Sequence, residues 1–148
     1  MQVHFSEDKD RRVFAHYDRQ HDNLLFLSPS PAQYHPYTQA GYQVEQARNG
    51  LEAWEKLQSG LSCNVILCDI EMPKMNGLEF LARLQEDSHL AEIPVAMITS
   101  RGSQKMQTMA QEKGARAYFV KPYLDQVLLD STQRLMEGEI LIGKGEEG

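Results

Sequence analysis

The chain has 148 residues and a formal net charge of −6 at neutral pH. This length fits one α/β domain with short extensions, and such a domain is large enough to bury a hydrophobic core. An acidic chain lacks the electrostatic footprint of a nucleic-acid-binding protein, and its apolar runs are too short to span a membrane. Nothing resembles a signal peptide, so we expect a cytoplasmic protein.

Residues 1–22 differ in composition from the rest of the chain, because they are charged with mixed sign and contain His4, His16 and His21. Residues 12–17 favour a short strand, but no hydrophobic period emerges around them. We interpret residues 1–22 as an N-terminal extension, which is solvated or packs on a neighbouring chain. The histidine spacings match no common set of metal ligands.

Predicted strands and helices alternate along residues 23–137. The strands are predicted at residues 24–27, 42–46, 64–68, 94–100 and 117–122, and the helices at 34–40, 51–58, 78–86, 104–113 and 124–136. This alternation predicts a doubly wound five-stranded parallel sheet of order 2-1-3-4-5 with helices on both faces. Pro36 lies inside the first helix, which should therefore be short or irregular. We expect residues 138–148 to form a loosely held tail rich in Gly and Glu.

Three polar side chains stand where predicted strands end. Asp69 follows the apolar run 65–68, Thr99 closes the next strand, and Lys121 precedes Pro122 after the last one. Because parallel strands present their carboxyl ends at one edge of the sheet, these side chains should share a crevice. A carboxylate there can act as a nucleophile, and a hydroxyl and an ammonium can bind the oxygens of a transferred phosphoryl group.

The chain resembles the receiver domains of two-component response regulators. The matching residues are Asp69 with Met72, Pro73 and Gly77, then Thr99, then Lys121 with Pro122. Over residues 69–79, 99–101 and 117–123 the likeness is greatest to receivers of chemotaxis-type hybrid histidine kinases. The resemblance covers roughly residues 23–136 and implies a flavodoxin-like fold.

The resemblance also implies roles for these residues. Asp69 would accept a phosphoryl group from a histidine kinase or a phosphotransfer protein, and the protein would not be an enzyme. Thr99 and Tyr118 occupy the positions of the hydroxyl and the aromatic ring that move on phosphorylation. The partner surface would be formed by the fourth strand, fourth helix and fifth strand. Its candidate residues are Arg101, Lys105, Met106, Met109, Tyr118 and Tyr123.

One feature departs from the family. Receivers carry two acidic residues after the first strand, and these hold Mg²⁺ together with the phosphoacceptor. Here Ser28 and Pro29 stand at that place, and residues 24–43 contain no acid. Asp69 and the backbone carbonyl of Glu71 remain as ligands, so we expect weak Mg²⁺ binding. The Glu71 carboxylate, or an extension acid (Asp8, Asp10 or Asp22), could substitute.

Three other functions stay open from the sequence. A phosphorylation-independent pseudo-receiver would act as a protein-protein docking module, and a homodimer is one form of such docking. A flavodoxin-like redox protein would need a phosphate-binding loop at residues 28–31, where two prolines remove N–H donors and glycine is absent. An aspartate-based phosphatase would have a second Asp where this chain has Glu71.

Overall fold

The computed structural model describes residues 3–7 and 13–17 by their backbone, and residues 23–30 and 35–142 with their side chains. The strands are β1 (Val3–Glu7), β2 (Val13–Tyr17), β3 (Asn23–Leu27), β4 (Gln43–Ala47), β5 (Val65–Asp69), β6 (Val95–Thr99) and β7 (Ala117–Val120). The α-helices are α1 (His35–Gln39), α2 (Gly50–Gln58), α3 (Gly77–Gln85), α4 (Gln104–Glu112) and α5 (Asp125–Met136), with a short 3₁₀ helix at Leu90–Glu92.

A five-stranded parallel sheet forms the centre of the molecule, in the order β4-β3-β5-β6-β7. Among these five strands in chain order, this is the arrangement 2-1-3-4-5, so the predicted topology is confirmed. The inner strands β5 and β6 are fully buried because helices cover both faces of the sheet. This explains why their sequences are continuous apolar runs.

Side chains pack on both faces of this sheet. On one face, residues of β3 and β5 contact apolar side chains of α2, α3 and α4, including Leu57, Phe80 and Ala110. On the other face, α1 and α5 cover the sheet with Tyr37 and Leu128. Polar residues lie at the carboxyl edge of the sheet, where the parallel strands end.

Helix α1 is short, as predicted from Pro36. The proline is the second residue of α1, where a missing N–H costs little because the first N–H groups of a helix have no partner within it. Tyr37 is fully buried, and its hydroxyl lies 2.9 Å from Thr132 Oγ1 on α5. Thr132 Oγ1 in turn donates to the carbonyl of Leu128. This buried contact joins α1 to α5.

Only some of the apolar side chains of α2 are buried. Leu51 is 41% exposed, whereas Ala53 and Leu57 are buried. Trp54 is half-buried, and the guanidinium of Arg83 lies 4.6 Å from the centre of its ring. Asn49 caps the start of this helix by accepting a hydrogen bond from the backbone N–H of Glu52.

The two ends of the chain also differ from expectation. Strand β2 confirms the strand predicted at residues 12–17, and it pairs in antiparallel fashion with β1, which was not predicted. The prediction of a loosely held tail is wrong for Leu141 and Ile142. Their backbone N–H groups both donate to the carbonyl of Arg116, and Ile142 is buried against the core.

Several sequence predictions fall outside what the structure describes. They concern the tail residues 143–148, the histidine side chains of the N-terminal extension, and the proposed substitute acids Asp8, Asp10 and Asp22. In the described part of the chain, no helix has the length and apolar character that a bilayer crossing requires.

Candidate functional site

Four polar side chains gather at the carboxyl edge of the sheet. Asp69 is the last residue of β5, Thr99 is the last residue of β6, and Lys121 follows β7. Ser28 follows β3, and the pairing of Leu27 with Cys68 sets it beside Asp69. The parallel register therefore brings the predicted residues to one crevice and adds Ser28.

The loop that follows Asp69 is fixed by its own sequence. A Cβ atom on Gly77 would lie 2.4 Å from the carbonyl oxygen of Asp69, so only glycine fits at this position. Asn76 caps α3 by accepting a hydrogen bond from the N–H of Glu79, and the Glu79 side chain accepts from the N–H of Asn76. Lys74 takes a left-handed conformation, with φ of 66°. These features fix the path of the chain directly after Asp69.

Asp69 and Lys121 form an ion pair in this crevice. The Nζ atom of Lys121 lies 3.0 Å from Oδ1 and 3.2 Å from Oδ2 of Asp69. Asp69 is 3% exposed, whereas the Lys121 side chain is 29% exposed. Burial raises the pKa of Asp69 above its ordinary value, and the hydrogen bonds from Lys121 and Ser28 only partly offset this effect. The ion pair therefore joins the buried carboxylate of Asp69 to the partly exposed ammonium of Lys121.

Ser28 is a second partner of Asp69. Its fully buried hydroxyl donates to Asp69 Oδ2 across 3.1 Å and accepts a hydrogen bond from the N–H of Ser30. A donor therefore occupies the position for which the sequence resemblance implied an acid. The sequence showed that the acids are missing, but it did not show that the serine would bond to Asp69. The signal was present, because Ser28 directly follows a strand that neighbours β5.

Thr99 is engaged by the carboxylate of Glu71. Its hydroxyl donates to Glu71 Oε2 across 2.6 Å, and both the N–H and the hydroxyl of Ser100 lie 3.2 Å from Glu71 Oε1. Burial alone would raise the pKa of Glu71, but these hydrogen bonds outweigh it and hold the pKa below its ordinary value. The Glu71 side chain was considered only as a substitute metal ligand, and its contact with Thr99 was not predicted.

Tyr118 lies half-buried beside this cluster. It packs against the core that covers the α2, α3 and α4 face, and its hydroxyl donates to the carbonyl of Arg101 across 2.7 Å. Arg101 also donates its N–H to Thr99 Oγ1 across 3.0 Å. Thr99 and Tyr118, the two predicted switch residues, therefore both contact Arg101 in the loop between β6 and α4.

The predicted partner surface is largely accessible. Lys105 is exposed, Met109 is 38% exposed, and Met106 is half-buried. Neither methionine is therefore fully buried under the sheet. Tyr123 is half-buried and packs against the core on the α1 and α5 face, whereas Met106 packs against the opposite core.

Comparison with known proteins identifies the family. Residues 35–133 match the family described as the response regulator receiver domain. The chain belongs to this family. The matched range begins after β3, so Ser28 lies outside it.

The similar proteins include chemotaxis proteins and the receiver domain of a histidine kinase. Chemotaxis protein CheY1 of Helicobacter pylori is 39% identical over 94 residues, which are 63% of this chain and 76% of the relative. The solved structure of chemotaxis protein CheY4 of Vibrio cholerae has a TM-score of 0.71 at 31% identity and covers 81% of this chain and 98% of its own. The signal receiver domain of a histidine kinase from Syntrophus aciditrophicus has a TM-score of 0.72 at 31% identity, with 79% and 91% covered. The resemblance to chemotaxis-type receivers is confirmed.

Receiver domains generally bind Mg²⁺ at their phosphorylation site. The donors near Asp69 do not fit this ion. Asp69 Oδ2 accepts hydrogen bonds from Lys121 and Ser28, and the Glu71 carboxylate accepts from Thr99 and Ser100. Asp69 Oδ1 is buried without a hydrogen-bond partner, but the Lys121 ammonium lies 3.0 Å from it, so one carboxylate oxygen is all that could face a cation. In the described part of the chain no group of three or more His, Cys, Asp or Glu residues could hold a metal ion. Mg²⁺ favours an octahedron of oxygen ligands, which this arrangement does not supply.

Proposed function

We propose that this domain is a phosphoacceptor module of two-component signalling, with Asp69 as the acceptor. The observation that carries the proposal is the buried Asp69 carboxylate in contact with Lys121 at the carboxyl edge of the sheet. The donor would be a phosphohistidine of a histidine kinase or phosphotransfer protein. The module would be a substrate of that partner rather than an enzyme, and its location in the cytoplasm stays a prediction.

The transfer follows from the groups that face the crevice. An oxygen of Asp69 attacks the phosphorus atom, the phosphorus–nitrogen bond of the phosphohistidine breaks, and the imidazole leaves as it takes up a proton. The product is a mixed anhydride on Asp69. Lys121 offsets the charge of the phosphoryl oxygens, and Thr99 can donate to one of them once its hydroxyl is released.

Phosphotransfer that depends on Mg²⁺ would be weakened in this domain. The serine at position 28 offers a hydroxyl that already donates to Asp69, where an acid would have offered oxygens to a cation. Lys121 also competes with any cation for the same carboxylate. We therefore propose slow phosphorylation with little dependence on Mg²⁺.

A phosphorylation-independent docking module is the second candidate. The network of Ser28, Asp69 and Lys121 favours it, because Asp69 Oδ2 accepts hydrogen bonds from both neighbours and the Lys121 ammonium offsets the carboxylate charge without any ligand. In that case the receiver fold would present a constant surface to its partner. The two candidates differ in whether Asp69 ever becomes phosphorylated.

Covalent labelling separates them. The chain is incubated with phosphoramidate, with and without excess MgCl₂, and intact mass spectrometry follows the addition of one phosphoryl group. We expect slow labelling that Asp69→Asn abolishes and that Asp125→Asn, an exposed carboxyl on α5, leaves unchanged. Label that persists in Asp69→Asn would refute the assignment, and no label under any condition would favour the docking module.

A further inference from the structure

Glu71 bridges two loops beside the site. It lies two residues after Asp69, and its carboxylate accepts hydrogen bonds from Thr99 and Ser100 at the end of β6. Of these, the bond from the Thr99 hydroxyl is the shortest, at 2.6 Å. The hydrogen bonds therefore hold the start of the loop between β6 and α4 against the loop that follows β5.

This bridge uses the donor that a phosphoryl group would need. A threonine hydroxyl has a single hydrogen, so Thr99 cannot donate to Glu71 and to a phosphoryl oxygen at the same time. Glu71 also carries the same sign of charge as a phosphorylated Asp69, and its proximity already contributes to the raised pKa of Asp69. The two anions would compete for one donor.

Glu71 can leave this position without unpacking the core. Its side chain is exposed, and it lines an open groove of about 510 Å³ together with Met72, Arg101 and Met106. Rotation of the side chain into this groove would free Thr99 and Ser100. Asp69 and Lys121 keep their contacts in this movement.

We propose that Glu71 is a positioning residue that withholds the Thr99 hydroxyl from the phosphoryl group, acting as a resident anion that the phosphoryl group must displace. The proposal rests on the proposed function of Asp69. Displacement of Glu71 releases Ser100 and the Thr99 hydroxyl. Arg101 donates to the same Thr99 oxygen and accepts a hydrogen bond from the Tyr118 hydroxyl. Occupation of Asp69 is thereby linked to the loop between β6 and α4.

The test compares Glu71→Gln with Glu86→Gln, which removes the same charge at the far end of α3. Glutamine offers one neutral acceptor oxygen in place of two charged ones, so it holds the donors of Thr99 and Ser100 less tightly. The first measurement is the rate of phosphoramidate labelling of Asp69, and the second is amide hydrogen exchange at Ser100. Both are repeated in a Thr99→Val background, where Glu71 has no hydroxyl to withhold.

In Glu71→Gln we expect labelling to be about tenfold faster, which corresponds to about 1.4 kcal/mol in the barrier. Exchange at Ser100 should also be faster, by about threefold or more. Glu86→Gln should match the unmodified chain, and the gain in labelling rate should disappear in the Thr99→Val background.

Each of the following results would overturn the inference. Unchanged exchange at Ser100 would show that Glu71 does not hold the loop. Faster exchange at Ser100 without faster labelling, or a gain in labelling rate that persists in the Thr99→Val background, would show that Glu71 only holds the loop in place. No labelling in any variant would reject the proposed function together with the inference, whereas labelling of the unmodified chain without acceleration in Glu71→Gln would reject the inference alone.

Discussion

Ser28 donates a hydrogen bond from a fully buried hydroxyl to the Oδ2 atom of Asp69, across 3.1 Å. The bond exists because β3 and β5 are parallel neighbours, which places the residue after Leu27 beside the last residue of β5. A hydroxyl stabilises the buried carboxylate without adding a negative charge. A second acid at this position would repel Asp69 unless a cation lay between them.

The first prediction concerns the buried charge of Asp69. Since burial raises the pKa of Asp69, its charged form is less favourable in the folded state than in the unfolded chain. Asp69→Asn should therefore raise the free energy of unfolding at pH 7, by about 1 kcal/mol, an ordinary size for one substitution. The gain should shrink as the pH falls through the raised pKa towards about 4, because Asp69 then takes up a proton.

Urea unfolding at both pH values measures this effect, and Asp130→Asn on the surface of α5 is the control. Lys121 is partly exposed, so the loss of its partner leaves an ammonium that water can solvate. A lower free energy of unfolding for Asp69→Asn at pH 7 would mean that the ion pair outweighs the cost of burial.

The second prediction concerns the contact between α1 and α5. Tyr37→Phe removes the hydroxyl that lies against Thr132, and it leaves the packing of the ring in place. We expect the free energy of unfolding to fall by about 1 kcal/mol, the usual net value of one hydrogen bond. A double-mutant cycle with Thr132→Val should show coupling between the two positions. Additive effects would indicate that the short helix is held by ring packing alone.

Much of this molecule could be predicted from its sequence. The alternation of apolar runs and amphipathic helices indicated the sheet order, and Asp69 and Lys121 were recognisable because each follows a strand. Tyr37 and Thr132 were not found, because their contact joins residues that are far apart in the chain. The same holds for Ile142, whose burial depends on where the chain returns after α5.

The site itself was predicted only in part. The predicted strand order put Ser28 next to Asp69, but serine after a strand is also a common turn residue, so the hydrogen bond itself was not predicted. Glu71 was weighed for its possible bond to a metal, but the side chain reaches Thr99 instead. Both contacts join loops that lie side by side at the carboxyl edge of the sheet. The sheet order determines which loops are neighbours, but it does not determine the rotamers of the Ser28 and Glu71 side chains.

The third prediction concerns the partner surface. Lys105 and Met109 are exposed on α4, and the described part of this helix fully buries only Ala110. A variant that combines Lys105→Glu with Tyr118→Ala should weaken self-association and the capture of a histidine kinase. Sedimentation velocity and a pull-down measure the two effects.

Arg83→Glu, on the side of the molecule formed by α2 and α3, serves as the matched control because it reverses one charge as well. If the combined variant and this control behave alike, the interface lies elsewhere, and the N-terminal extension would be the next segment to test.

The central claim is that the Ser28 hydroxyl, which donates a hydrogen bond to Asp69, prevents tight binding of Mg²⁺ at this site. Isothermal titration with MgCl₂ tests the unmodified chain against Ser28→Asp, with Ser30→Asp as a control that adds the same charge in the same loop. We expect weak or undetectable binding by the unmodified chain and by Ser30→Asp, and binding at least about tenfold tighter by Ser28→Asp, a gain of about 1.4 kcal/mol. Tight Mg²⁺ binding by the unmodified chain, or no gain in Ser28→Asp, would contradict the account.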